Sequence, residues 1–203
     1  MFDTAKYGSD QTVIFEAGLH RTLDRHVSAL DANRVLVLTT PHQSDLGLEL
    51  AAQLGAKAAG VFCRAAMHTP VEVTEAALAH LQDVGADTVL AAGGGSTIGL
   101  GKALALRIGV TQIALPTTYA GSECTPILGQ TENGVKTTVN DSNLRPAAVL
   151  YDPELVATLP VPMTVTSTLN AMAHAVEALY AQDRNPQSTE LALTGLRIFA
   201  GAP

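Results

Sequence analysis

The segment A-A-G-G-G-S-T-I-G-L-G-K-A, residues 91–103, joins a predicted strand to a predicted helix. Residues 85–90 before it predict a short buried strand, and Leu100, Leu104 and Ile108 recur at helical spacing. A strand that runs through three glycines into a helix is typical of a loop that holds an anion at the helix N-terminus. The segment therefore predicts an α/β fold with an anion-binding loop, and a plain glycine-rich turn is the alternative.

Three named glycine motifs do not fit this loop. The dinucleotide fingerprint G-x-G-x-x-G and the nucleophile elbow G-x-S-x-G both need a glycine where Ile98 stands. The P-loop needs glycine in place of Ser96, and Ser or Thr in place of Ala103. Three successive glycines followed by Ser96 and Thr97 nevertheless offer several amides and two hydroxyls at the positive end of a helix. This composition favours an anion site over a plain turn.

The composition indicates a globular protein without a nucleic-acid or membrane partner. The chain has 203 residues, of which 47% are hydrophobic and 15% charged, so a substantial core can form. A net charge of −7 is the wrong sign for nucleic acid or an anionic membrane. Residues 1–8 lack a signal-peptide core, and Cys63 and Cys124 make no disulfide or metal framework. We expect a cytoplasmic protein, and the sequence leaves a homodimer open.

Strand-like and helix-like patterns alternate along the first part of the chain. The predicted strands, which are separated by helical stripes, cover residues 13–15, 34–39, 59–63, 87–91 and 112–115. This rhythm predicts an α/β fold with a mostly parallel sheet and helices on both of its sides. Asn133-Gly134 lies between two strand-like segments and predicts a hairpin with a type I′ turn.

Beyond residue 152 the pattern becomes helical. Residues 163–181 predict one helix, and Asn185 as N-cap with Pro186 at the first helical position predicts another. We therefore expect an α/β domain over 1–152 and the incomplete beginning of an all-helical domain over 153–203, since the last helix is apolar and has nothing further to pack on.

A second loop and two later segments carry a family resemblance. Residues 115–123, LPTTYAGSE, follow a strand's carboxyl end, where open α/β sheets bind ligands. Together with GGGSTI at 93–98, DPEL at 152–155 and NAMAHAVEA at 170–178, they resemble the iron-containing (group III) alcohol dehydrogenase superfamily over essentially the whole chain. The resemblance implies a dehydroquinate synthase-like fold, in which a nucleotide-binding α/β domain precedes an all-helical domain.

Departures from the superfamily pattern point to one of its branches. Metal-dependent members usually carry Asp where this chain has Asn170, and that Asp and the residue matching His174 are two metal ligands. Members also usually carry Asp where this chain has Gly99. With these departures the chain resembles the maleylacetate reductases, a branch described as metal-independent. Its members reduce the carbon–carbon double bond of maleylacetate to give 3-oxoadipate during the breakdown of aromatic compounds.

The resemblance identifies the anion as the pyrophosphate of NADH or NADPH, with no metal expected. Residues at the two loops and the hairpin are assigned to this cofactor: Gly93, Gly94, Gly95, Ser96 and Thr97 to the pyrophosphate, Thr117, Thr118 and Ser122 to the adenosine and ribose side, and Lys136 to a ribose. A carboxylate after the second strand would repel a 2′-phosphate, but Thr40 stands there, so both cofactors are expected.

The candidate catalytic residues are Asn170 and His174, which share a helix face because they lie four residues apart. The resemblance implies that His174 donates to a substrate carboxylate or supplies a proton. We interpret Lys102 as a helix-surface cation, Glu177 as a surface charge and Asp152 as a cap at a strand end.

Other functions remain open at the level of sequence. They are a truncated, non-catalytic dinucleotide-binding module, a metal-dependent alcohol dehydrogenase of the same superfamily, and a lyase like dehydroquinate synthase. The last would need more metal ligands than Asn170 and His174 provide.

Overall fold

The structure, a computed structural model, describes residues 11–201. Residues 1–8, for which we predicted no signal peptide, lie outside the described residues. The strands in the described range are β1 (Thr12–Phe15), β2 (Val35–Leu38), β3 (Ala58–Phe62), β4 (Thr88–Gly93), β5 (Thr111–Pro116), β6 (Ile127–Glu132), β7 (Val135–Asn140) and β8 (Ala148–Tyr151). The helices are α1 (Leu23–Ser28), α2 (Ser44–Leu54), α3 (Val71–Asp83), α4 (Gly95–Ile108), α5 (Pro153–Ala157), α6 (Val161–Tyr180) and α7 (Pro186–Phe199).

Six strands form one parallel sheet in the order β1-β8-β5-β4-β2-β3. Strand β4 lies between β5 and β2, and Gly93 at its end pairs with Pro116 at the end of β5. Because the strands are parallel, the loops that follow β2, β4 and β5 meet at one edge of the sheet. The predicted α/β fold with a mostly parallel sheet is confirmed.

Both faces of the sheet are covered, as its unbroken apolar strands predict. Val35 and Val37 of β2 pack in a core cluster with residues of α1 and α2. Leu36 and Leu38 point the other way and pack with residues of α3 and α4. This alternation follows from the two-residue period of a strand, and it places β2 between two helical layers.

The turn from β4 into α4 is tighter than the sequence pattern predicts. The strand ends at Gly93 and the helix begins at Gly95, so Gly94 alone joins them. The predicted strand ended at residue 91 and the predicted helix began at 97. Both boundaries were wrong because apolar spacing detects only core-facing positions, whereas this turn consists of small and polar residues.

The remaining elements agree with the sequence pattern. Strands β6 and β7 form an antiparallel hairpin, and Asn133 and Gly134 have φ values of 49° and 76°, the sign that a type I′ turn needs. Asn185 caps α7 through a reciprocal capping box with Ser188. Helices α6 and α7 pack on each other, and within the described chain α6 has no fully buried residue. The domain boundary at residue 152 stays a prediction.

No helix within residues 11–201 has both the length and the apolar character needed to cross a bilayer.

Candidate functional site

The glycine loop leaves no room for side chains on the turn between β4 and α4. A Cβ atom on Gly94 would lie 2.9 Å from Oγ1 and 3.1 Å from Cγ2 of Thr118. Gly93 has a φ of 153°, which other residues rarely adopt, and a Cβ there would lie 3.0 Å from Oε1 of Gln43. The backbone at Gly94 and Gly95 is therefore bare and partly exposed. A ligand can approach its amides directly.

The first turn of α4 directs unpaired amides towards this opening. The first helical hydrogen bonds are donated by the amides of Thr97 and Ile98 to the carbonyl oxygen of Gly94, each at 3.1 Å. The amides of Gly95 and Ser96 come before these bonds, at the positive end of a 14-residue helix. This geometry fits the phosphate groups of a dinucleotide.

One buried hydroxyl group beside the loop has no partner within the described residues. Oγ1 of Thr97 is buried and makes no hydrogen bond within residues 11–201. The Thr97 hydroxyl lies next to Gly93, since a Cβ on that glycine would be 2.5 Å from it. An unsatisfied buried hydroxyl costs roughly 1–3 kcal/mol, so the site favours a ligand or water that accepts from it.

Gln43 ties the second loop to the segment that follows β2. The Nε2 atom of Gln43 donates to Oγ1 of Thr117 at 3.0 Å. The hydroxyl of Thr40 in turn donates to Oε1 of Gln43 at 3.4 Å. The amide of Thr117 in turn donates to the carbonyl oxygen of Gly93 at 3.1 Å. Sequence reasoning missed Gln43, because nothing distinguishes this glutamine from other polar residues in a first helical turn.

Two cavities flank the glycine loop. One, of about 360 Å³, brings together four of the predicted cofactor residues with the loop before α3: Gly95, Ser96, Ser122, Lys136 and His68. The other, of about 440 Å³, is lined by His42, Gln43 and Thr117, on the side of Thr40. The second cavity reaches the glycine loop through Gln43 and Thr117, which lie against Gly93.

The candidate catalytic residues do not join these cavities. Asn170 and His174 lie exposed on α6, and Nδ1 of His174 is 3.3 Å from Oε2 of Glu177. Ala171 of the same helix lines a further cavity with Thr118, so α6 does reach the second loop. Glu177 is exposed, as predicted for a surface charge.

The described residues do not supply a complete iron site. Residues 11–201 contain no group of three His, Cys, Asp or Glu side chains placed to hold a metal ion. On α6, Asn170 offers an amide where a metal site prefers a carboxylate. The residues of this part of the chain therefore do not fit a bound iron ion.

The interpretation of Lys102 as a surface cation is wrong. The residue is 0% exposed, and its Nζ donates to three backbone carbonyls of the segment that follows β5. Burial lowers the pKa of Lys102 to about 8. One signal was available in the sequence, because Lys102 is the only charged residue between Asp87 and Arg107, and an isolated cation in an apolar segment is a candidate for burial.

Asp152 lies at a strand end, as predicted, and has a further role at the start of α5. It follows β8, but its carboxylate caps α5 by accepting from the amide of Glu154 at 3.0 Å. It also accepts from the amides of Gly18 and His20, each at 3.0 Å, and pairs with the His20 ring. It therefore fastens the segment after β1 to the start of α5.

Comparison with known proteins gives the family. A family model described as iron-containing alcohol dehydrogenase matches residues 10–153. Maleylacetate reductase from Rhizobium sp. (strain MTP-10005) is 56% identical over 190 residues, which make up 94% of this chain and 54% of that protein. The solved maleylacetate reductase from Agrobacterium tumefaciens superposes with a TM-score of 0.91 at 54% identity, covering 94% of this chain and 55% of that one.

A more distant structure shares the fold. Sulfoacetaldehyde reductase from Bifidobacterium kashiwanohense, solved in complex with NAD⁺, has a TM-score of 0.86 at 21% identity, covering 94% of this chain and 57% of that one. This identity shows the fold alone. The chain spans about half the length of the curated relatives it matches. It belongs to the iron-containing alcohol dehydrogenase family.

Proposed function

We propose that this chain is the dinucleotide-binding half of an NADH- or NADPH-dependent maleylacetate reductase. The observation that supports the proposal most directly is the contact between Gly94 and Thr118. It brings the two loops together and leaves a bare backbone at the N-terminus of α4. The similarity to maleylacetate reductases supports the choice of substrate.

Different residues around the loop bind different parts of the cofactor. The amides of Gly94, Gly95 and Ser96 hold the pyrophosphate, and the orphaned hydroxyl of Thr97 donates to it or to a bound water. Thr40 and Thr117 face the adenosine half. The sequence placed Ser122 on the adenosine and ribose side, but Ser122 lines the other cavity together with Lys136, so we assign both side chains to the nicotinamide ribose.

When bound, the reduced nicotinamide supplies a hydride to one carbon of the maleylacetate double bond. The adjacent carbon takes a proton, and the product is 3-oxoadipate. We assign the proton, or a hydrogen bond to a substrate carboxylate, to His174 on α6, with Asn170 beside it on the same helix face. We propose a reaction without a metal at Asn170, because an amide oxygen binds a divalent cation more weakly than a carboxylate does.

We propose that the chain alone binds the cofactor but turns over slowly. A hydride donor reacts only when its acceptor is held at near-attack distance, and the curated relatives contain about as much chain again. A cytoplasmic location and a homodimer remain part of this proposal.

The test is NADH oxidation with maleylacetate, run on this chain and on a form extended to the length of its relatives. We expect reduction of maleylacetate by the extended form, before and after chelation, and no reduction of a simple aldehyde. Elemental analysis would contradict the metal-independent assignment if stoichiometric iron or zinc were found and its removal abolished activity. Aldehyde reduction without maleylacetate reduction would favour a metal-dependent alcohol dehydrogenase instead.

A further inference from the structure

We propose that Lys102 is a positioning residue that fixes the width of the cavity in which the nicotinamide ribose binds. This inference rests on the proposed function, because it assigns the 360 Å³ cavity between α4 and the β6–β7 hairpin to that half of the cofactor. Lys102 itself does not line the cavity. It acts through the segments that do.

The ammonium group of Lys102 has one proton for each of three carbonyl oxygens. Its Nζ lies 2.6 Å from the oxygen of Ser122, 2.7 Å from that of Thr125 and 2.9 Å from that of Ile127. The hydroxyl of Thr125, at 3.1 Å, is a further contact. A single buried cation therefore fixes the conformation of the six-residue segment 122–127 by binding three of its carbonyl groups.

The position of Lys102 in the helix makes this contact relevant to the cofactor. It lies seven residues after Gly95, so about two helical turns separate it from the glycine loop. Ser122 and Ile127 both line the cavity opposite Gly95 and Ser96. Ile127 also begins β6, which pairs with the strand that carries Lys136. The spacing between the two walls of the cavity is thus set by the Lys102 side chain.

The surroundings of Lys102 lower its pKa into a range that a pH titration of the folded chain can cover. Burial lowers its pKa to about 8 and the charge of Arg145 lowers it further, whereas the Glu123 carboxylate opposes this shift. Glu123 is buried and accepts from the Tyr151 hydroxyl at 3.0 Å. A neutral amine has only two protons for the three carbonyls. Deprotonation of Lys102 therefore breaks one of its hydrogen bonds to segment 122–127, which forms one wall of the cavity.

Calorimetric titration of the 203-residue chain with NADH and with ADP tests the proposal. ADP carries the adenosine and phosphates but nothing that reaches the ribose cavity. We expect Lys102→Met to weaken NADH binding by about tenfold, or 1.4 kcal/mol, and ADP binding by less than about threefold. Lys57→Met is the matched control, because its Nζ donates to a single carbonyl, that of Ala32 at 3.0 Å, away from the cavity.

A pH series on the unmodified chain provides a second measurement that needs no variant. We expect the affinity for NADH relative to ADP to fall as the pH passes through about 8, the pKa of Lys102, and to stay constant in Lys102→Met. A constant ratio in the unmodified chain, or equal losses for NADH and ADP in the variant, would overturn the proposal. A chain that binds neither ligand overturns the proposed function itself, whereas unchanged NADH binding by Lys102→Met overturns only the role of Lys102.

Discussion

The side-chain amide of Gln43 donates to the hydroxyl of Thr117 over 3.0 Å, and this bond crosses the end of β4. Gln43 follows β2 and Thr117 follows β5, the two strands on either side of β4 in the sheet. Beneath the bond lies Gly93, where a Cβ atom would approach Oε1 of Gln43 to 3.0 Å. Three neighbouring strand ends are thereby joined into one platform behind the glycine loop.

The first prediction concerns this bond. Gln43→Leu keeps the side-chain volume but removes the donor to Thr117, so the second loop loses its link to the segment after β2. We expect NADH and NADPH affinities to fall together by roughly threefold to tenfold, about 1 kcal/mol, the net value of one such hydrogen bond. Gln82→Leu, at an exposed position near the end of α3, should change neither affinity. Normal binding by Gln43→Leu would show that the bond does not support the cofactor site.

The second prediction concerns the choice between NADH and NADPH. Thr40 is partly buried after β2, and its hydroxyl contacts Gln43. If the adenosine ribose lies against it, Thr40→Asp will place a negative charge beside the 2′-phosphate of NADPH. We expect the NADPH-to-NADH affinity ratio to fall by about tenfold, or 1.4 kcal/mol. The neutral variant Thr40→Asn should leave the ratio near that of the unmodified chain, and an unchanged ratio in Thr40→Asp would place the ribose elsewhere.

The third prediction concerns stability in acid. Burial raises the pKa of Asp152, but hydrogen bonds from the His20 ring and from the amides of His20, Gly18 and Glu154 outweigh it, so the pKa lies below its usual 3.8. A carboxyl whose pKa is depressed by folding stabilises the protein above the unfolded-state pKa of about 3.9. That stability is lost as the pH falls through the lower, folded-state pKa.

Urea unfolding between neutral pH and about pH 3 measures this contribution. We expect Asp152→Asn to lower the free energy of unfolding at neutral pH by roughly 2–3 kcal/mol, because one acceptor oxygen is replaced by a donor. Its stability should fall less than that of the unmodified chain below about pH 4, near the ordinary carboxyl pKa. Asp183→Asn, at an exposed turn, is the control. Parallel pH profiles for Asp152→Asn and the unmodified chain would exclude this role.

Sequence patterns predict the parts of this fold that depend on local chemistry. The apolar runs of β2 and β4, the turn at Asn133-Gly134 and the cap at Asn185 each have a short-range physical cause, and each is found in the structure. The position of the glycine loop at a strand's carboxyl end is local in the same way.

Contacts between distant segments are not visible in such patterns. Lys102 occupies a helix where a solvated cation is the ordinary expectation, and its three carbonyl partners lie 20–25 residues further along the chain. Gln43 and Thr117 are 74 residues apart in sequence and meet because their strands flank β4 and end at the same edge of the sheet. The roles of Asn170 and His174 stay predictions, because both side chains lie exposed on α6.

The central claim is that the turn at Gly94 holds the pyrophosphate of a nicotinamide dinucleotide, and calorimetric NADH binding by Gly94→Val tests it most directly. A Cβ at this position would already lie 2.9 Å from the Thr118 hydroxyl, so a valine must push the two loops apart and cover the amides. Gly195→Val is the matched control, because nothing lies within 4 Å of a Cβ there. We predict that a folded Gly94→Val loses well over about tenfold in affinity for both NADH and NADPH, while Gly195→Val binds as the unmodified chain does. Equal affinities in all three proteins would contradict the assignment.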